Sequence, residues 1–431
     1  MMRRAPTTTT TTPAGSRVRE FAVWLLPLLA AAVTAVCLGM SLGPFERISG
    51  DYIDLEVYRL GVEEWRSGGD LYGELPKTGI GISLPFIYPP FAALALGVFA
   101  LVPWTVSMVA YLVTSVGALA LTLYLVARQL WPETGRARTA LLVCATATPP
   151  ALLLEPVFAT LDFGQVNLLL MGLVAADCLT RNPRWPRGLL IGIAAAIKLT
   201  PAAFVLFLLV RRDYRAAVTA TVSGAAATLV GFVVLPDESV RYWFGGFGNV
   251  DGLSGSAFHT NQSFQAVLTR LEITGPVATA LWVVLSAALV ALAVVAMRRP
   301  GTPPSIALAV NAIVALLVSP ISWSHHWVWV APAILAMTGY AIRQPGRDGL
   351  RWYIAATLTI VVFIAAPHGY LPGENNRELD WTPIQQVIGD TYVWFGLLLV
   401  VFVVIAARRS APEEPRIAPE PSDTLVGSRD Q

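Results

Sequence analysis

Continuous apolar runs separated by short polar breaks dominate the chain. They fall at 21–40, then at about 88–102, 104–127, 139–157, 165–180, 188–210, 216–235, 276–297, 304–319, 327–342, 351–367 and 390–407. Several reach the ~18–20 residues that a helix needs to cross a bilayer. They do not alternate as barrel strands do, and in lipid only a helix or a closed barrel pairs every backbone group. The pattern predicts an all-α integral membrane protein, a polytopic bundle of about 12 transmembrane segments over residues 21–407. The run at 21–40 is too long for a signal-peptide core and lacks a clear small-residue cleavage site, so it reads as a retained span. Residues 1–20, with the run Thr7 to Thr12, and residues 408–431, rich in Pro, Glu, Ser and Asp, are expected to be disordered tails.

The polar intervals set the expected topology. Residues 41–87 form a long first loop, with a short helix expected from Asp54 to Arg66 and stopped at Ser67-Gly68-Gly69. Ile53, Val57 and Leu60 share one face of it, so it suits a juxtamembrane position on the membrane surface. Basic residues cluster at 128–138, 181–187, 211–215, 298–299, 343–351 and 408–409, which marks these loops as cytoplasmic. Plain counting of spans puts the loops at 136–138 and 181–187 on the other side. The two agree if 88–127 makes one net crossing and 188–210 is a hairpin of two half-depth helices turning at Lys198-Leu199-Thr200-Pro201, where proline favours a break. Both accounts place a multi-pass protein in the plasma membrane with both termini cytoplasmic and the 41–87 loop external.

Composition fits a chain whose main partner is the lipid bilayer: 55% of residues are hydrophobic and 13% charged, about half the usual charged fraction of roughly 25%. A net charge of +2 gives no sign of a nucleic-acid partner. Cys37, Cys144 and Cys178 all lie in apolar runs, without disulfide or metal-site spacing.

The polar residues that remain at the expected external ends are few. They are Asp51 and Asp54; Tyr88-Pro89-Pro90; Asp162-Phe163-Gly164-Gln165-Val166-Asn167; Lys198; Asn261-Gln262-Ser263; and Ser322-Trp323-Ser324-His325-His326-Trp327. A carboxylate base, a lysine in an apolar segment, a histidine pair, amides and aromatics make up the outfit of a sugar-transfer site. Carboxylates activate a hydroxyl, cations hold a phosphate leaving group, and amides and indoles grip a sugar. Each has a plainer reading. Asp54 suits a helix N-cap, and the histidines with Trp323, Trp327 and Trp329 suit an interfacial aromatic belt. Lys198 costs roughly 2.5–3.5 kcal/mol at mid-bilayer on insertion scales, so a functional role is the default, with snorkelling as the alternative. Adjacent histidines on a helix point about 100° apart and have no third ligand at helical spacing, so no metal site is expected.

Together, in order, Ile53-Asp54-Leu55-Glu56-Val57-Tyr58, Phe86-Ile87-Tyr88-Pro89-Pro90-Phe91, Asp162 to Asn167, Lys198 to Pro201, Asn261-Gln262-Ser263 and Ser319 to Trp329 resemble the actinobacterial polyprenyl-phosphate-mannose-dependent α-(1→2)-mannosyltransferases of the GT-C superfamily. The resemblance spans about residues 20–407. It implies transfer of mannose from polyprenyl-phosphate-mannose to a mannose 2-hydroxyl on a phosphatidylinositol mannoside, lipomannan or lipoarabinomannan acceptor, with inversion. It maps the catalytic base onto Asp54 rather than Asp51, and substrate contacts onto Lys198, His325, His326, Tyr88, Gln165, Asn167, Asn261, Gln262 and Trp327. A lipid-phosphate donor gives no strong reason for a divalent metal or other cofactor. The competing class is a transporter or flippase for a lipid-linked sugar, which would place its polar residues near mid-membrane on paired interrupted helices of two repeated halves. No internal repeat is visible, and here the polar motifs sit towards one face.

Overall fold

The computed structural model describes residues 14–40, 50–130, 137–245, 255–373 and 375–406. The expected disordered tails lie outside the described residues, except that residues 14–20 open the first helix.

The named elements among the described residues are all helices. Helix α1 (Ala14–Gly39) precedes the first loop and its helix α2 (Ile53–Arg66). A short α3 (Pro90–Leu96) runs through a 3₁₀ turn into α4 (Trp104–Leu130). Helices α5 (Ala137–Ala151) and α6 (Glu155–Phe163) meet at 74° after the pair Pro149-Pro150. Then come α7 (Asn167–Leu179), α8 (Leu189–Ile197), a 3₁₀ turn at Thr200–Phe204, α9 (Val205–Val210) and α10 (Tyr214–Val234). Helices α11 (Pro236–Phe244) and α12 (Phe264–Arg270) flank a loop, and α13 (Gly275–Arg298) and α14 (Pro304–Val318) follow. A 3₁₀ segment, Ser324–Trp329, leads into α15 (Val330–Ala341) and α16 (Gly346–Ala365). The last pair, α17 (Pro383–Gly389) and α18 (Thr391–Ala406), is bent by 64°.

Four helical segments among the described residues are long and apolar enough to cross a membrane: Trp104–Leu130, Tyr214–Val234, Gly275–Arg298 and Gly346–Tyr370. Counting each bent pair as one span gives six, and five further apolar helices are shorter. The expected count of about twelve segments is therefore not shown. Several apolar runs that look like whole spans in the sequence are broken or turn back. Val218, Val222 and Val233 of α10 and Val277 and Val284 of α13 are exposed, as befits faces turned to lipid.

Two such runs matter for the topology. Residues 90–102 begin beside the C-terminal end of α10, where Gly231 faces Phe91. They end under α2, where the Arg59 guanidinium donates to the carbonyls of Phe99 and, at 2.7 Å, Val102. Both ends thus lie at one end of the bundle, and α4 alone makes the crossing. Its Tyr111 sits at that end, and Gln129 reaches the carbonyl of Leu179 at the other, at 2.6 Å. Residues 188–210 are a hairpin. Helix α8 stops at Lys198, which is extended (φ −147°, ψ 132°) ahead of Pro201. The chain then returns, so that Arg187 and Asp213, beyond its two ends, meet at 3.7 Å. Close packing of α8 on the parallel α10 fixes this. A Cβ on Gly192 would lie 2.4 Å from the carbonyl oxygen of Ala220, so no other residue fits there. Asp177, fully buried at the end of α7, accepts the N–H of Ile191 in the first turn of α8 at 3.0 Å.

Both features are those that reconcile the charge pattern with helix counting. In a background lacking Cys37, Cys144 and Cys178, Arg184→Cys and Arg215→Cys should be tagged by an impermeant thiol reagent from the same side of the membrane, and Ile82→Cys from the opposite side. Labelling of 184 and 215 from opposite sides would make 188–210 a full crossing.

Candidate functional site

The site is built where α2, the α6–α7 turn, the 188–210 hairpin and the 319–329 segment meet. Helix α2 carries Asp54 and Glu56 in its first turn, where carboxylates complement the helix dipole. Asp54 is not the cap. That position belongs to Tyr52, which is left-handed (φ 44°, ψ 38°) and makes no side-chain cap. An aromatic residue there is strained, and its surroundings hold it. Its N–H donates to the carbonyl of Asp162 at 3.1 Å, and its ring meets Trp104 and Tyr111 edge-on. The N–H of Gly50 donates to the Asp162 carboxylate at 2.9 Å. The entry to α2 is thus stitched to the end of α6.

Gly164 lets the two elements close. It ends α6 at φ +75°, and a Cβ on it would sit 2.6 Å from Cβ of Leu55. The next residue, Gln165, is thereby delivered beside Asp54. Its Oε1 accepts from the hydroxyls of Tyr58 and Tyr88, both at 3.1 Å. With the oxygen so engaged, the amide NH₂ is left to face the Asp54 carboxyl, which lies within its hydrogen-bonding reach. Burial pushes the Asp54 carboxyl up to about 6, against the lowering effects of the Gln165 amide and the Lys198 charge.

Lys198 sits at the apex of the hairpin, partly buried. Its Nζ donates to Asn167 Oδ1 at 3.0 Å, meets His326 Nε2 at 3.1 Å and lies 5.6 Å from the Tyr88 ring centre. An ammonium only donates, so His326 accepts on Nε2 and keeps its proton on Nδ1. Asn167, the first residue of α7, turns its NH₂ to the carbonyl of His325 at 2.9 Å, and the hydroxyl of Thr160 donates to the same oxygen at 2.6 Å. The His325 ring is buried against Phe163 and His326. An apolar slot opens beside Asn167 and His326 and runs between α7, the Thr200–Phe204 turn and α14, past Met171, Val174, Phe204 and Leu316.

Asp54, Tyr88, Gln165, Asn167, Lys198 and His326 therefore form one connected group, with His325 tied to it through its backbone. The other expected residues have different partners. Asn261 is fully buried, accepts the N–H of Ser322 at 3.0 Å and pairs with Trp323 in a single β-bridge. Gln262 donates to the carbonyls of His259 and Gly389. Trp327 is 2% exposed and packs on Phe363 and Tyr392. These three hold the 319–329 segment in place. Glu155, which takes hydrogen bonds from Ser324 (2.7 Å) and Tyr392 (2.9 Å), does the same and went unnoticed in the sequence. Tyr58 stands in the Ile53–Tyr58 motif but has no role assigned from the sequence, although its position four residues after Asp54 on one helix face is a usable signal. Among the described residues no group of three or more His, Cys, Asp or Glu side chains is placed to hold a metal ion.

A family model described as glycosyltransferase family 87 matches residues 86–320. A polyprenol-phosphate-mannose-dependent alpha-(1-2)-phosphatidylinositol mannoside mannosyltransferase of Mycobacterium tuberculosis is 36% identical over 402 residues, covering 90% of this chain and 92% of that protein. Its namesake from Mycolicibacterium smegmatis is 36% identical over 378 residues, 83% of this chain and 84% of that protein. A polyprenol-phosphate-mannose-dependent alpha-(1-2)-phosphatidylinositol pentamannoside mannosyltransferase of M. tuberculosis is 32% identical over 359 residues, 80% of each. Among solved structures, ArnT from Cupriavidus metallidurans bound to undecaprenyl phosphate is similar at 18% identity and a TM-score of 0.37, over 89% of this chain and 78% of that one.

The raised Asp54 carboxyl has a stability consequence. Between its ordinary value of 3.8 and about 6 the folded protein holds the proton that the unfolded chain has released. Stability from this group is thus present at low pH and lost as pH rises through about 6. Asp54→Asn removes the loss, so the melting temperature of the variant relative to the wild type should climb as pH rises from 3.8 to about 6 and level off above that. A difference that stays constant with pH would show that Asp54 titrates normally.

Proposed function

Because the chain belongs to glycosyltransferase family 87, we propose that it transfers mannose from polyprenyl-phosphate-mannose to the 2-hydroxyl of a mannose on a phosphatidylinositol mannoside, with Asp54 as the general base. The observation that carries this reading is the placement of a base and a cation in one group. A carboxyl pushed up to about 6 lies close enough to Lys198 to feel its charge, and the two partners of Lys198, Asn167 and His326, line an apolar slot suited to an isoprenoid. Family membership favours the enzyme over a lipid-linked-sugar transporter.

The reaction needs one in-line displacement. Ionised Asp54 takes the proton of the acceptor 2-hydroxyl as that oxygen bonds to the anomeric carbon. The bond from that carbon to the phosphate oxygen breaks, and its electron pair leaves on polyprenyl phosphate. A β-linked donor then gives an α-linked product, through a transition state with oxocarbenium character as in other glycosyl transfers. Negative charge grows on the departing phosphate, so a fixed cation helps more late than early. Lys198 has three N–H bonds and spends two on Asn167 and His326, which leaves one for the phosphate. His326 offers Nδ1–H as a second donor. Tyr88 and Gln165 shape the sugar pocket around Asp54. Asn261, Gln262 and Trp327 act at one remove, by holding the segment that bears the histidines. By the charge distribution, the site faces outside and both termini face the cytoplasm. Lipomannan and lipoarabinomannan chains present the same acceptor hydroxyl.

Asp54→Asn keeps the shape of the side chain and removes the base. Transfer should fall by about 10² to 10⁴ with membrane expression near normal. In the wild type, kcat/KM should rise with pH through about 6 and level off, since only the carboxylate accepts the proton. If Asp51→Asn abolishes transfer while Asp54→Asn leaves it at wild-type rate, the base is the other carboxylate.

Lys198→Gln should lower kcat and also weaken donor binding, and Lys198→Arg should recover part of both because the charge is kept. His326→Ala should cost more than His325→Ala. Wild-type kinetics for Lys198→Gln with polyprenyl-phosphate-mannose, or equal turnover with GDP-mannose, would overturn the lipid-phosphate role.

A further inference from the structure

At the end of the bundle opposite Asp54, the loops after α7 and α9 border a half-open cavity of about 230 Å³, lined by Arg181, Arg187, Arg211 and Asp213 together with Gln129 and Thr180. Its charges divide into two kinds. Arg187 is fully engaged: it donates to the carbonyls of Asp177 (2.6 Å) and Thr180 (2.7 Å) and pairs with Asp213 at 3.7 Å. Asp213 also caps α10 through the N–H of Ala216 at 3.1 Å. Gln129 takes the carbonyl of Leu179. The C-terminal carbonyls of α7 and Asp213, the only carboxylate lining the cavity among the described residues, are thereby satisfied without Arg181 or Arg211. Those two have no carboxylate partner among the described residues, and Arg211 merely lies 5.6 Å from the ring centre of Phe207. The exposed side chains of Leu209 and Tyr214 flank Arg211 in the chain and suit the membrane interface.

We propose that this cavity binds a phosphate group through Arg181 and Arg211, presented by an anionic phospholipid headgroup or by a soluble phosphate. Two like charges facing one polar cavity repel each other, and an anion between them removes that repulsion while forming charge-assisted hydrogen bonds. Basic pockets between transmembrane helices on the cytoplasmic side are suited to anionic headgroups. A lone surface arginine needs no ligand, but two exposed arginines lining one half-open polar cavity, with the neighbouring acceptors satisfied by other groups, leave room for one. The occupant would tie the end of α7 to the end of α9. Helix α7 begins at Asn167, and the hairpin limb that ends in α9 begins after the Lys198 apex; those two residues make the 3.0 Å contact.

The test is thermal unfolding of the purified full chain in detergent, read by tryptophan fluorescence, with three additives: phosphatidylglycerol, phosphatidylcholine of the same acyl chains, and glycerol 1-phosphate. A rise in melting temperature with phosphatidylglycerol alone assigns the site to a lipid headgroup, and an equal rise with glycerol 1-phosphate assigns it to a soluble phosphate. In Arg181→Gln/Arg211→Gln the midpoint concentration should increase about tenfold or more, and Arg181→Lys/Arg211→Lys should recover most of the response. Arg184→Gln, outside the cavity, should behave as wild type. Equal stabilisation by phosphatidylglycerol and phosphatidylcholine, or an unchanged response in the double glutamine variant, would overturn the proposal.

Discussion

A lysine ammonium in the middle of an apolar segment is the constraint on which this architecture turns. At full membrane depth an unpaired charge costs several kcal/mol, and the chain answers by never giving Lys198 a continuous helix to sit in. Helix α8 ends at it, Pro201 stands in the first turn of the 3₁₀ segment that follows, and the segment turns back. The apex then lies at the bundle's polar end, where Asn167 and His326 accept from the ammonium and the Tyr88 ring faces it. Each partner needs its own break. Asn167 starts a helix after the Gly164 turn, Tyr88 precedes a double proline, and His326 lies in a 3₁₀ segment. The broken helices are the means by which polar side chains from distant parts of the chain reach one depth.

The carboxyl is held by a different logic. Asp54 sits on a regular helix whose entry is strained at Tyr52, and the strain is maintained by bonds to the end of α6. Gln165 joins the two halves of the site. Its oxygen is fixed by two tyrosine hydroxyls, so its NH₂ has one direction left. This keeps Asp54 near Lys198 without a direct ion pair. Full pairing would hold the carboxyl low and weaken it as a base, whereas burial without compensation would leave it protonated at neutral pH. A value of about 6 lies between the two and suits proton abstraction near neutrality.

What the sequence revealed follows the range of the interactions concerned. The helix expected from Asp54 to Arg66 is found at Ile53–Arg66, because charge in its first turn and the Ser67-Gly68-Gly69 stop are local signals. The turn at Lys198 was visible because a lysine before a proline in an apolar run admits few conformations. The contact of Gln165 with Tyr58, across more than a hundred residues, left no local trace. The amides of Asn261 and Gln262 look the same in a sequence whether they grip a sugar or a backbone, and the structure shows the backbone. The apolar runs of 88–102 and 188–210 have the composition of spans; the placement of basic loops argues that they turn back, and the long-range contacts at their ends show it.

These turned-back segments bear on how a lipid-linked donor reaches its site. A continuous helix would wall off the polar end from the bilayer, and its side chains would meet an isoprenoid only along its outer face. The 188–210 hairpin and the short α7 instead leave a slot that begins at Asn167 and His326 and continues between apolar side chains of α7 and α14. One groove thus presents two surfaces, a polar one supplied by helix ends and an apolar one by helix sides. Moving Lys198 one turn deeper would lengthen α8 but lose both acceptors, and moving it one turn outward would separate it from the slot. The position of the break in the hairpin is therefore what sets the depth of the ammonium.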